Sequence, residues 1–245
     1  MKFSLLPVLC SLLCFLSCSV NQEIRLNTDG SGTVYGEVFL EDFFLATLQD
    51  LTDLNNPVEG DLTPMDPAVI ESELKRNPYF DSVAISSEGP GRYRGTLSFH
   101  DVEDLFFSPE KGETGSVLSF SELDNRTSRL ILRINSDNFQ ELFRLFPMLQ
   151  DPGFQYFLPE PAITRQEYIE MLLFLFDENS LKNDRDMTSL LNTASLNLRI
   201  NVNGTILSRE GGTQLDESSI RITVPLLSLL LHEEELYYSV TFQSR

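Results

Sequence analysis

The fold of this chain is decided at residues 24–40, whose sequence is IRLNTDGSGTVYGEVFL. Apolar and polar side chains alternate on both sides of a central segment that is rich in Asn, Asp and Gly, and a period of two is that of β-strands. Asn, Asp and Gly tolerate the positive φ angles that tight hairpin turns require. The stretch therefore predicts an antiparallel β-hairpin.

A calcium-binding loop is the other interpretation of residues 27–32, because oxygen-bearing side chains precede a glycine there. Aligning Gly30 with the glycine of such a loop places Arg25 at the first ligand position and Gly36 at the position of the bidentate carboxylate. Two essential ligands are then missing, so the hairpin turn is the favoured interpretation.

The same alternation recurs along the rest of the chain and predicts a second hairpin and six further strands. The hairpin covers residues 83–99, and the strands cover 116–121, 129–135, 196–202, 206–209, 220–224 and 236–242. Helices are predicted at residues 41–54, after Pro67, from Ser136, and from the capping box Thr164-Arg165-Gln166-Glu167. The apolar run at residues 226–231 is too short to span a membrane and is predicted to be core.

Hairpins separated by helices predict an α+β fold, with a mostly antiparallel β-sheet and helices inserted between the hairpins. Residues 24–245 would form either a single large domain or a sheet domain with a helical insertion at residues 136–191. In the second case the strands of the last third complete the sheet that begins at Ile24.

The most apolar predicted helix contains residues 168–176, of which eight of nine are apolar or aromatic. A helix with almost no polar face must be enclosed in the core, contact a partner or line an apolar cavity. Core burial is the favoured interpretation. The alternative is an apolar binding surface shared with the preceding helix, and its candidate residues are Phe139, Phe143, Phe146, Tyr168, Leu172 and Phe176.

No motif identifies a catalytic or metal centre. His100 stands beside several carboxylates and His232 precedes three glutamates, but neither has the further His or Cys ligands that a zinc site needs. The chain has no Gly-x-Ser-x-Gly nucleophile motif, no phosphate-binding loop and no dinucleotide fingerprint. We therefore expect no metal, no cofactor and no enzymatic activity, with a hydrolase built around His100 as the less favoured alternative.

The charge balance narrows the class of partner. The chain has 18 Lys and Arg against 37 Asp and Glu, for a net charge of −19. Such a charge repels phosphate backbones and anionic headgroups over a broad surface, which excludes nucleic acid as an expected partner.

An apolar leader ends at residues 15–18, whose sequence is FLSC. Lys2 is its only charged residue, and the stretch is shorter than the roughly 20 apolar residues that span a bilayer. The leader resembles a bacterial lipoprotein signal, with cleavage after residue 17 and Cys18 as the lipidated first residue of the mature chain. Phe15 replaces the usual Leu, a relaxation that resembles spirochaete-type lipoproteins. The alternatives are a secretory signal cut nearby and an uncleaved signal anchor.

The cysteines are consistent with this interpretation. All three, Cys10, Cys14 and Cys18, lie at or before the predicted cleavage site, so the mature body can form no internal disulfide. Residues 18–23 would form a lipidated tether before the first strand.

The start and the end of the body are similar to LppM-like envelope lipoproteins. The similarity rests on residues 23–34 directly after the tether, and on the Asn203-Gly204 turn followed by the strand at residues 220–224 and Pro225. It implies a membrane-tethered sheet domain with an apolar concavity, and it transfers no catalytic residue.

These observations predict a non-enzymatic lipoprotein of the cell envelope that binds a lipid or another apolar ligand near the membrane. Acyl chains on Cys18 would anchor it in the cell membrane or the outer membrane, with the body facing the periplasm or the cell surface. The alternative is a structural or assembly lipoprotein that contacts an envelope protein.

Overall fold

The computed structural model describes residues 20–40, 42, 45–47, 67–105, 116–139, 157–160, 162–180, 186–232 and 234–244. Cys18, Phe143, Phe146 and most of the helix predicted at residues 41–54 lie outside these described residues. The strands are β1 Val20–Leu26, β2 Gly32–Phe39, β3 Ser82–Gly89, β4 Arg92–Phe99, β5 Leu118–Glu122, β6 Thr127–Ile134, β7 Ser195–Val202, β8 Gly204–Glu210, β9 Thr213–Gln214, β10 Ser219–Pro225 and β11 Leu236–Ser244. The helices with defined bounds are α1 Pro67–Leu74, α2 Arg165–Ser180, α3 Met187–Thr193 and α4 Leu226–Leu231.

The strands form two sheets, and the predicted α+β class is confirmed. Sheet A has seven strands in the order β3-β4-β2-β1-β7-β10-β9, and sheet B has four in the order β5-β6-β11-β8. Every pair is antiparallel except β1 and β7, which run parallel. A parallel pair requires a long crossover, and the chain between β1 and β7 supplies it. The strands β7 and β10 thus extend the sheet that β1 begins, whereas the predicted strands at residues 206–209 and 236–242 lie in sheet B as β8 and β11.

The first hairpin is confirmed, with β1 and β2 joined by the turn at residues 27–31. The Asn27 backbone N–H donates to the Ser31 carbonyl at 2.9 Å, and the Asp29 carboxylate accepts from the Ser31 backbone N–H at 3.0 Å. Gly30 has a φ of +83°, which a residue with a Cβ rarely adopts. The side chains of Asn27, Asp29 and Ser31 therefore bond to one another and to the backbone of the turn.

The first strand begins earlier than the sequence predicts. β1 starts at Val20, so residues 20–23, which we predicted to be tether, form the first half of the strand. Glu23 pairs with Tyr35 of β2 and Arg199 of β7, which holds this segment between two neighbours. The pattern did not reveal this part of the strand because Asn21, Gln22 and Glu23 are all polar.

Both sheets and the helices contribute to one hydrophobic core. The inward side chains of β10 alternate with exposed ones, and Ile220, Ile222 and Val224 are each 1% exposed. α4 is buried, as predicted for its apolar run, because four of its leucines are at most 3% exposed. Within the described residues, no helix is sufficiently long and apolar to cross a membrane.

Candidate functional site

The predicted capping box opens α2 and fixes where the helix starts. The Thr164 backbone N–H donates to the Glu167 carboxylate at 2.9 Å, and the Glu167 backbone N–H donates to the Thr164 hydroxyl at 3.3 Å. These bonds satisfy two backbone donors that a helix N-terminus otherwise leaves open. The hydrogen bond from the Thr164 side chain holds the pKa of Glu167 below its ordinary value. The start of α2 then sets which of its residues face the core.

The candidate residues of α2 lie on its buried face. Tyr168, Leu172 and Phe176 are fully buried, at a spacing of four that places them above one another along the helix. The Tyr168 hydroxyl donates to the Phe157 carbonyl at 2.6 Å, and burial raises the pKa of this phenol. The Phe157 and Phe176 rings stack with centroids 6.0 Å apart. A ligand could reach these side chains only by displacing the protein groups that cover them.

The preceding segment supplies one further candidate residue to the same core. Phe139 is 5% exposed and belongs to the hydrophobic cluster that includes Tyr168, and its ring packs edge-on to His232 with centroids 4.2 Å apart. Phe143 and Phe146 lie outside the described residues. The structure thus places the four described candidate residues in the core, and their role in ligand binding stays a prediction.

One apolar side chain of α2 projects away from the core. Phe174 is 83% exposed, on the side of the helix that also carries the exposed Gln166, Glu167 and Glu170. It is the most exposed large hydrophobic side chain among the described residues. The apolar surplus that the sequence shows in this helix is therefore only partly absorbed by the core.

His100 lies at the surface between two carboxylates. Its Nδ1 is 3.2 Å from the Asp81 carboxylate, and its Nε2 is 3.3 Å from the Asp104 carboxylate. Both ring nitrogens thus face carboxylates. Within the described residues, no group of three or more His, Cys, Asp or Glu side chains is arranged to hold a metal ion.

A second candidate region is the face of sheet A that points away from the core. A cleft of about 260 Å³ opens on this face across β2, β1, β7 and β10. The pairing of the strands places Tyr35, Glu23, Arg199 and Arg221 side by side in one row across these four strands. The residues that line the cleft are Gln22, Glu23, Tyr35, Glu37, Asn197, Arg199 and Arg221.

This face, which we call the arginine face, carries five exposed arginines among its described residues. The strand register places all five on the same side of sheet A, and they are Arg25, Arg92, Arg94, Arg199 and Arg221. Four of them have partners that the structure identifies. Arg199 donates its Nε to Asn201 at 3.0 Å and forms an ion pair with Asp216 at 3.7 Å. Arg25 pairs with Glu23 at 2.8 Å, Arg94 pairs with Glu37 at 2.8 Å and Glu88 at 2.6 Å, and the Arg92 guanidinium lies over the Phe39 ring at 5.0 Å.

Sequence reasoning missed the arginine face. The outward side chains of β7 and β10 could have been predicted from the sequence, because the alternation in both strands indicates them. They are Asn197, Arg199, Arg221 and Thr223. The pairing of β1 with β7 was not available from the sequence, because it joins residues 176 positions apart. The row of side chains across β2, β1, β7 and β10 can be recognised only once that pairing is known.

Comparison with known proteins adds little. No family model matches the chain, and no curated protein matches it. Among solved structures, the chain is similar to the folded domain of the Mycobacterium tuberculosis LppM protein, determined by NMR, with 12% identity and a TM-score of 0.35 over 92% of this chain and 89% of that one. A similarity at this level does not assign the chain to a family.

Proposed function

We propose that this protein is an exported, non-enzymatic lipoprotein of the cell envelope, anchored to a membrane by acyl chains on Cys18. The proposal is supported by the apolar leader that ends at residues 15–18 and by the position of the first strand. β1 starts at Val20, so a single residue separates the anchor from the folded body. Two steps along the backbone span at most about 7 Å, which would hold the body directly against the membrane surface.

The anchoring is tested by metabolic labelling of the full chain with palmitate in a bacterial host that processes lipoproteins. The wild type and Cys14→Ala, the matched control, should incorporate label and sediment with membranes. Cys18→Ala should lose the label, because no other cysteine occupies the position after the leader. Equal labelling of Cys18→Ala would overturn the proposal.

We propose further that the body binds a lipid or another apolar ligand near the membrane through the exposed side of α2. The support for this is Phe174, whose ring is 83% exposed on a helix with a membrane-proximal body. Two or more acyl chains already anchor the protein stably, at about 0.8 kcal/mol per buried methylene, so this contact would serve recognition of a ligand rather than attachment.

The alternative is an assembly lipoprotein that places Phe174 against a protein partner. Aromatic side chains are typical anchors of protein interfaces, which favours this alternative. Native mass spectrometry of the full chain after release from detergent separates the two. Ligand binding is supported if lipid is bound to the wild type and to Gln166→Ser but is absent from Phe174→Ser. A lipid-free complex with a protein, lost in Phe174→Ser alone, would instead establish the assembly role.

A further inference from the structure

We propose that the arginine face holds a binding site for a small hydroxylated molecule that carries a phosphate or a carboxylate, with Arg199 and Arg221 as the pair that binds the anionic group. This site is independent of the anchoring at Cys18 and of the apolar side of α2. Three observations support the proposal: the strand register, the ion pairs around the cleft and the size of the cleft.

The two arginines face each other directly across neighbouring strands. Arg199 of β7 is the register partner of Arg221 of β10, and both are exposed. Like charges in directly opposite positions of a sheet destabilise it. An oxyanion between the two guanidinium groups would convert this repulsion into two charge-assisted contacts, because the planar fork of arginine matches carboxylate and phosphate oxygens.

The protein itself neutralises this pair only in part. Arg221 has no ion-pair or hydrogen-bond partner among the described residues, and Arg199 uses its Nε to donate to Asn201 at 3.0 Å. Arg199 also forms an ion pair with the Asp216 carboxylate at 3.7 Å. Asp216 already accepts hydrogen bonds from the Ser218 backbone N–H at 2.8 Å and the Ser219 hydroxyl at 2.6 Å, and these bonds lower its pKa to about 2. Asp216 therefore serves both its turn and Arg199, whereas the Arg221 guanidinium keeps its donors open to a ligand.

The two carboxylates of the cleft, by contrast, are each paired with an arginine of the protein. Glu23 pairs with Arg25, and Glu37 pairs with Arg94 and accepts a hydrogen bond from the Tyr35 hydroxyl at 2.9 Å. Neutralised in this way, the two carboxylates would repel an anionic ligand weakly and would still accept hydrogen bonds from its hydroxyl groups. Asn197, whose Oδ1 accepts from the Thr223 hydroxyl at 3.0 Å, retains amide donors for the same purpose.

The size of the cleft indicates a small ligand, and the Tyr35 ring favours a ligand that contains a ring. The cleft measures about 260 Å³, just below the range of about 300–1,000 Å³ that is typical of pockets for drug-sized molecules. Strands lie about 4.8 Å apart, so Tyr35 stands about 14 Å from Arg221 across three strand intervals. The Tyr35 ring is 39% exposed and offers an apolar surface to the C–H face of a sugar-like ring at the end of the row remote from the arginine pair.

Binding to the purified full chain in detergent tests the site, with glucose 6-phosphate as the probe and glucose as the neutral comparison. Arg221→Gln removes one guanidinium of the pair, and Arg126→Gln removes an exposed arginine from the β5–β6 turn of sheet B as the matched control. We expect glucose 6-phosphate to bind more tightly than glucose. The Arg221→Gln change should weaken binding by roughly 10- to 100-fold, the effect of losing a hydrogen bond to a charged group, while Arg126→Gln leaves it unchanged.

Two further probes identify the ligand class. Glucuronate replaces the phosphate by a carboxylate, and preferential binding of either acidic sugar over glucose supports the proposal. Inorganic phosphate that binds as tightly as glucose 6-phosphate would remove the hydroxylated ring from the proposal and overturn that part. Equal weakening by the two substitutions, or no binding of any acidic probe at millimolar concentration, would overturn the site itself. Unfolding measured on Arg221→Gln excludes loss of fold as the cause.

Discussion

Helix α2 and the arginine face differ in composition and in exposure. α2 contains a nine-residue segment in which eight side chains are apolar or aromatic, and its Tyr168, Leu172 and Phe176 are fully buried. The arginine face is polar and open, with five exposed arginines in a chain of net charge −19. An apolar excess is first buried in the core, whereas an arginine that faces a like charge and has no partner, as Arg221 does among the described residues, does not stabilise the fold. The comparison teaches that the polar face is the better place to look for a small ligand.

The largest expected effect concerns the two sides of α2. Phe176→Ala should reduce the free energy of unfolding by about 3–5 kcal/mol, because it leaves a cavity in the core. Phe174→Ala, two residues earlier on the exposed side, should change it by no more than about 0.5 kcal/mol. Chemical denaturation of both variants measures the difference. Equal losses would show that α2 does not bury the face described for it.

The second largest expected effect is a loss of stability in the hairpin that places β1 and β2 in register. A Cβ at Gly32 would lie 2.3 Å from the Arg25 carbonyl oxygen and 2.7 Å from the Phe99 ring, so Gly32→Ala should destabilise the fold by about 1–3 kcal/mol.

The matched control for this change is Gly36→Ala, also in β2, whose Cβ would have no neighbour within 4 Å. It should leave the free energy of unfolding within about 0.5 kcal/mol of the wild type. A control as unstable as Gly32→Ala would contradict the register of sheet A, and with it the row on the arginine face.

A smaller effect, of opposite sign, is expected from the arginine pair. Replacing Arg221 by Thr removes the like-charge contact with Arg199 and introduces a residue that favours strands. In the absence of ligand, the Arg221→Thr variant should be more stable than the wild type by about 0.2–1 kcal/mol, measured by thermal or chemical unfolding at low salt. A less stable variant would show that Arg221 contributes to the fold, which would undermine its assignment to a ligand.

The smallest expected effect is a pH dependence of the stability that arises from His232 at the end of α4. His232 has a φ of +51°, its buried Nε2 has no hydrogen-bond partner in the described structure, and burial lowers its pKa. The unfolded chain then binds a proton at a higher pH than the folded one, so stability is full above the ordinary histidine pKa of about 6.5 and falls as the pH drops below it.

His232→Asn tests this assignment, because asparagine tolerates the left-handed conformation and does not titrate in this range. Unfolding measured between about pH 7.5 and pH 5 should show a shallower decline for this variant than for the wild type. Identical pH profiles would assign the decline to other groups.

The sequence predicted the local parts of the fold and not the long-range ones. Alternation gave the hairpins, and Thr164 with Glu167 gave the start of α2, because these signals lie within a few residues of one another. The polar start of β1 and its pairing with β7 were not predictable, since neither a polar strand nor a parallel partner far along the chain leaves a local pattern. The four described candidate residues all lie in the core, and composition alone did not distinguish a filled core from a binding surface.

The central claim is that a lipid on Cys18 holds this body at the membrane, and intact mass spectrometry of the protein from a lipoprotein-processing host tests it most directly. The account predicts a mature chain that begins at Cys18 and carries the added mass of acyl chains on that residue. An N-terminus at any other residue, or a chain that begins at Cys18 without added mass, would contradict it.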